Sequence, residues 1–426
     1  MSTFNRTYNM PVPVQEIQTV PKTSNQHLLY LDSLRALAAI YVVIHHAVLH
    51  YYPSIKDLSE YQLTPTQSIL FQFLKHGYYA VDLFIVLSGF SLMLSVIKND
   101  YLIKGGYLKF IKRRIIRIIP PYYSAVLISL LLIWFFIKDK SGTQWDVCIP
   151  VSRVDIIRHI LLIHDFYHSS FPRINDVLWS VAVEFRIYLF FPLLVYLWKK
   201  QGIMIALFTS VIISLAGSIA LIYLSNGNTD INLTAPGVSP YIILFTTGML
   251  AAEFSYSASD STNYIKALYY NASFGKKILA PAIFLVLFIL AKNLLKNVQS
   301  PNTDSIIKYL MDVLMGILFG FTLFFLSTTI QLNRNNHWVI KALSWKPLAW
   351  IGTFSYSLYL IHSPVLQLLS KYFLAPIEIS TSTKSYLLII IGTTSAIAIA
   401  YIFHVLFERP FMGLKNKPKI IPIISV

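Results

Sequence analysis

Long apolar runs, repeated along the chain and separated by short polar gaps, constrain this sequence more than anything else in it. Ile203–Leu224 holds no charged residue, and Ser385–Phe407 holds none beyond the proton that His404 can carry. A helix needs ~20 residues to cross ~30 Å of hydrocarbon, and both runs reach that length. Charged residues make up 13% of the chain, against about 25% in soluble domains, so much of the charge of a water-facing surface is missing. The pattern predicts an all-α polytopic membrane protein with about ten transmembrane helices, at 31–50, 77–97, 118–137, 177–198, 203–224, 238–255, 277–294, 309–331, 350–370 and 385–407. The core of a large soluble protein is the alternative, and the shortness of the polar gaps argues against it.

Residues 1–28 are polar and lack an apolar h-region, which predicts a disordered tail rather than a cleaved signal peptide. Residues 29–412 read as one membrane domain and 413–426 as a second tail. The only cysteine, Cys148, excludes a disulfide framework or a CxxC site within this chain. A net charge of +16 would point to nucleic acid in a soluble protein; in a membrane protein it is the cytoplasmic excess of Lys and Arg, and no nucleic-acid partner is expected. An even number of spans puts both termini on one side. That side also carries the cluster Lys98–Arg117, so both termini are expected in the cytoplasm. The connection 139–176 then faces outward, with Val154–His168 apolar enough for an interfacial helix. No stretch is long enough for a separate soluble domain, and no internal repeat of the kind that builds many secondary transporters is visible.

Titratable residues inside spans are costly and mark candidate function. The first span reads LDSLRALAAIYVVIHHAVLH. Arg35 and His46 are eleven residues apart, which at about 100° per residue returns them to nearly the same face, roughly 16 Å apart along the axis. His45 points about 80° away from His46. His164 and His168 are four apart, but without a third placed ligand they are a weak metal signal, and no metal site is expected. Glu408–Arg409 reads as a helix-end ion pair.

Several segments together carry a resemblance. LDSLRALAA with the following His pair, HGYYAVDLFIVLSGF (76–90), KRRIIRIIPPYY (112–123), LWSVAVEFRIYLFFPLL (178–194), FSYSLYLIHSP (354–364) and FERPF (407–411) fall in an order that resembles the acyltransferase-3 family of membrane O-acyltransferases. The resemblance covers about residues 29–412. It implies a cytoplasmic acyl-CoA co-substrate, usually acetyl-CoA, and a carbohydrate hydroxyl as acceptor, in a bacterial cytoplasmic (inner) membrane. Arg35 and His46 match the family's Arg/Lys-x10-His element, whose His is taken as catalytic, and Arg114 and Arg117 match its Arg-x-x-Arg element. Ala36 and Arg186 depart from the pattern. Some family members are fused to a soluble esterase-like domain; none is expected in these residues, which places the chemistry in the membrane part.

Counting depth along the expected spans puts His46, Asp82, Glu184 and His362 in one layer, roughly 6–12 Å beneath the outer boundary. Arg35, Arg114 and Arg117 gather at the opposite end, where guanidinium forks suit CoA phosphates. The expectation is that His46 is the general base, that Glu184 or Asp82 orients it, and that His45, His362 and Arg186 are lesser candidates. A covalent acyl-enzyme remains open at this stage. So do two other functions: a transporter or flippase of lipid-linked saccharides, and a non-catalytic scaffold.

Overall fold

The structure, a computed structural model, describes residues 29–53, 61, 63–232, 239–259, 262–266, 286, 301–331 and 338–413, with side chains from 307 in the 301–331 segment. Among the described residues the secondary structure is helical apart from one isolated bridge, Tyr167–Ile231. The helices are α1 (Leu29–Tyr51), α2 (Pro65–Leu74), α3 (Tyr79–Ile97), α4 (Gly106–Leu132), α5 (Arg153–Ile160), α6 (Trp179–Gln201) and α7 (Ile203–Leu224). They continue with α8 (Tyr241–Tyr256), α9 (Pro301–Gln331), α10 (Trp338–Leu343), α11 (Lys346–Thr353), α12 (Ser355–Leu369), α13 (Thr381–Leu387) and α14 (Thr393–Phe403). By length and composition, seven helical stretches among the described residues are able to cross a membrane, including Gly106–Ile137 and Thr381–Phe411, each continued by π-helical turns. The chain is a multi-pass, all-α membrane protein. The expected span 277–294 lies, apart from Val286, outside the described residues.

Local chemistry sets several boundaries. Thr64 and Gln67 form a capping box with Pro65 in the first turn of α2. Ser152 and Asp155 do the same for α5. Helix α4 begins at Gly106, after Gly105 with φ +78°, twelve residues before the expected start at 118, so Arg114 and Arg117 lie on a continuous helix. The expected interfacial helix 154–168 is shorter, ending at Ile160. Leu162 takes a positive φ of 54°, which a helix cannot accommodate, and the chain turns back into the protein.

Contacts fix the directions. Arg35 near the start of α1 donates to Ser91 of α3, while Gly77, just before α3, lies against His45 near the end of α1, so α1 and α3 are antiparallel. His50 bonds Gln367, and Tyr51 bonds Ser370, so α12 runs parallel to α1. The end where α1 begins is called proximal below, and the end where it finishes distal. Helix α3 packs most extensively on α8. A Cβ on Gly89 would sit 2.0 Å from the Phe245 carbonyl oxygen, and one on Gly248 would sit 2.0 Å from that of Val86. Only glycine allows this backbone approach, the small-residue packing common between membrane helices.

Candidate active site

Three chain segments converge on His46. Its Nδ1 lies 3.8 Å from Asp176 Oδ2, with side-chain exposures of 18% and 10%. Its ring centroid lies 5.1 Å from that of His362. Asp176, in the connection just before α6, is held by Ser363, which donates to Oδ1 at 2.8 Å. His362 donates from Nδ1 to the Tyr359 carbonyl at 2.8 Å, which leaves Nε2 as the basic nitrogen. Asp176 likewise favours the proton of His46 on Nδ1 and leaves Nε2 with its lone pair. The 3.8 Å separation exceeds a hydrogen bond, and such contacts often tighten only when substrate is bound.

His50, four residues after His46, joins the same end. Its Nε2 donates to Gln367 Oε1 at 2.8 Å. The same oxygen accepts from Thr143 at 2.9 Å, and Gln367 donates to Ser141 at 2.9 Å. The 139–176 connection is therefore fastened to α12 and, through Gln367, to His50 of α1. His50, Asp176 and Gln367 had not been singled out in the sequence. The signal for Asp176 was its place, the acidic residue directly ahead of the LWSVAVE segment.

The other expected residues fall elsewhere. The carboxylate beside His46 is Asp176, not Glu184 or Asp82. Glu184, in the second turn of α6, accepts from Ser88 at 2.8 Å and from Tyr188. Asp82 is buried within electrostatic reach of Asp312 and Lys308 of α9. His45 donates from Nδ1 to the Leu74 carbonyl at 2.7 Å, so it ties α1 to α2 with its edge against His46. Arg186 donates to the Leu162 carbonyl at 2.5 Å and to the Asp165 carboxylate, with its guanidinium 4.5 Å from the Phe166 ring centre. It pins the connection to α6. His164 does not pair with His168: its ring stacks on His159 at 3.8 Å, and no group of three or more metal-ligating side chains occurs among the described residues. Glu408 accepts from Ser357 at 2.5 Å and from His404 at 2.8 Å; these are its partners in place of the expected Arg409.

Proximal to His46 the interior stays polar. Ser180 donates to the Tyr359 hydroxyl at 2.8 Å, and next come Glu184, Ser88 and Tyr188. Arg114 lies between the rings of Phe110 and Tyr188, at 5.5 and 5.6 Å from their centres, and its Nε has no hydrogen-bond partner among the described residues. Arg117 is exposed one turn on. Arg35, held by Asp32 at 2.8 Å and Ser91 at 2.6 Å, flanks the column from α1. The column has arginines at one end and imidazoles at the other.

The peptidoglycan O-acetyltransferase OatA of Listeria monocytogenes is 26% identical over 357 residues, covering 81% of this chain and 50% of that protein. The O-acetyltransferase OatA of Staphylococcus aureus is 25% identical over 358 residues, covering 82% and 52%. The chain thus spans about half the length of these curated relatives. No solved structure matches it. Residues 28–405 match the profile of the acyltransferase domain, and the chain belongs to the acyltransferase-3 family.

Proposed function

We propose that this protein is an acyl-CoA-dependent O-acyltransferase of the bacterial cytoplasmic membrane that moves an acyl group, acetyl first among them, to a carbohydrate hydroxyl. The observation that carries the reading is His46 between Asp176 and His362, at the far end of a polar column that starts at Arg114. The names of the relatives make peptidoglycan the first acceptor to test. The donor enters from the proximal, cytoplasmic end, where Arg35, Arg114 and Arg117 offer permanently charged donors to the CoA phosphates. The pantetheine arm follows the column, and the thioester comes to rest beside His46, roughly 16 Å from Arg35.

His46 Nε2 takes the proton of the acceptor hydroxyl while its oxygen attacks the thioester carbonyl. Asp176 stabilises the imidazolium through Nδ1. When the tetrahedral intermediate collapses, the C–S bond breaks and the imidazolium returns the proton to the departing CoA thiolate. Protons balance, and direct transfer needs no other reactant. Purified protein incubated with labelled acetyl-CoA and soluble peptidoglycan fragments tests the reading. His46→Ala should lose ~10²–10⁴-fold in transfer rate and still bind acetyl-CoA. An active His46→Ala protein would overturn the assignment, and acetyl-independent movement of lipid-linked saccharide would favour a flippase instead.

A further inference from the structure

The connection between α4 and α6 forms, together with Asp230 from the segment after α7, an open cavity of about 450 Å³. That is within the ~300–1,000 Å³ of small-molecule sites. Its wall carries two guanidinium groups, Arg158 and Arg173, and two carboxylates, Asp155 and Asp230, with serine hydroxyls between them and an apolar edge that includes Val154.

The polar groups are fixed in advance. Arg158 donates from Nη1 to Ser169 at 3.0 Å, Ser170 at 2.8 Å and Asp230 at 3.2 Å, and its guanidinium stacks on Tyr167 at 3.6 Å. Arg173 donates from Nε to the Ser169 carbonyl at 3.1 Å, and from Nη1 to those of Val147 at 3.0 Å and Ile149 at 2.6 Å. Neither side chain commits its Nη2 to a hydrogen bond among the described residues, so each retains donors for a ligand. Burial works to raise Asp155, but hydrogen bonds from Ser170 and Ser152 outweigh it and keep the carboxyl below its usual range. For Asp230, burial is outweighed in the same way by Ser169 and Arg158. Both carboxylates stay ionised, the wall is neutral in sum, and an anion gains nothing from it. Rigid donors, rigid acceptors and an apolar edge suit a neutral, hydroxyl-rich ligand.

The cavity is built on the same connection that carries Asp176. Arg173 is three residues from Asp176, at most about 11 Å between Cα atoms even if fully extended. Ile174 donates to the Cys148 carbonyl at 3.1 Å, and Pro150, two residues on from Cys148, lines the same wall.

We propose that this cavity is a saccharide subsite that holds a neutral sugar ring of the acceptor next to the ring whose hydroxyl meets His46. The inference rests on the transfer reaction proposed above and adds where the acceptor is gripped.

The test uses Val154→Trp, since Val154 is 52% exposed and an indole there fills the cavity without a buried clash. Transfer from acetyl-CoA is measured to a monosaccharide and to soluble peptidoglycan oligosaccharides, with equilibrium binding of the same oligosaccharides read separately. In the wild type, KM should fall as the acceptor lengthens. Val154→Trp should raise KM for the oligosaccharide roughly tenfold, with kcat retained, the signature of lost uniform binding. It should therefore abolish the advantage of length. Unchanged acetyl-CoA affinity shows that the variant is folded, and Val154→Ala should behave as wild type. An undiminished length advantage in folded Val154→Trp overturns the subsite. If the wild type transfers nothing yet binds oligosaccharide in a Val154-dependent way, the reaction falls and the subsite stands; absence of both overturns both.

Discussion

In the proposed reaction His46 depends on two neighbours that no helical periodicity connects to it, Asp176 from the connection and His362 from α12. Replacing Asp176 by Asn keeps the volume and removes the charge that steadies the imidazolium. We expect kcat to fall by at least ~10²-fold with acetyl-CoA affinity unchanged. Glu184→Gln should behave differently: Glu184 lies among Ser88, Tyr188 and Arg114, so the loss should appear in acetyl-CoA affinity. Equal kcat losses with no change in affinity would undo that division of labour. The sequence singles out His46 through the resemblance, whose Arg/Lys-x10-His element it matches, with Arg35 on the same stripe of one helix. It pointed to Glu184 as the orienting carboxylate because depth counting ranks residues along the membrane normal and says nothing about which helices are neighbours. Asp176 lies outside any apolar run, where intramembrane charge offers no clue.

At the scale of elements, most described spans were legible from hydropathy, and the early start of α4 has a plain cause. Hydropathy ends where charge begins, but a helix does not. Helix α4 extends through the basic run from Gly106 because every turn keeps its backbone hydrogen bonds whatever the side chains. The α3–α8 seam depends instead on absent side chains. Gly248→Leu should reduce the amount of folded protein recovered from membranes, because the Val86 carbonyl occupies the space of its Cβ; normal yield and activity would show that the helices can separate at no cost. The α4–α6 connection is held differently, by the stacked His159 and His164. Burial lowers His159 to about 4, and burial, with His159 and Arg186 adding to it, lowers His164 well below the usual imidazole range. Both are neutral when packed, whereas an opened connection exposes imidazoles that take up protons below ~6.5. The opened form binds more protons through this window, so stability of the packed connection falls as the pH drops from ~6.5 towards about 4. Hydrogen-exchange protection of residues 153–166 should fall correspondingly, and a flat profile would mean that the imidazoles do not report on packing.

At the scale of the whole molecule, the proposed reaction runs along one axis. Along the polar column, Arg35, Arg114 and Arg117 lie proximally and His46, His50 and His362 distally, with serine and tyrosine hydroxyls and the Glu184 carboxylate between them. Replacing both Arg114 and Arg117 by Ala should weaken acetyl-CoA binding, each lost charge-assisted contact being worth about 1.5–3 kcal/mol, and unchanged affinity would remove the donor from that end. A reporter active only outside the cell should work when fused within 139–176 and fail when fused after Val426; the reverse result would invert the axis and, with it, the side from which donor and acceptor arrive.

The fastening of the connection to α12 and α6 also gives the protein a built-in chemical clock. Cys148, its one thiol, is wholly buried in that connection, where burial pushes the thiol pKa up and leaves little thiolate to react. Its backbone carbonyl accepts from Ile174, two residues before Asp176, so exposing the thiol is expected to loosen the segment that places Asp176 beside His46. On this reading the alkylation rate of Cys148 should report how often Asp176 parts from His46. A bound oligosaccharide acceptor should slow that clock, and His46→Ala, which leaves the connection seated, should not change it.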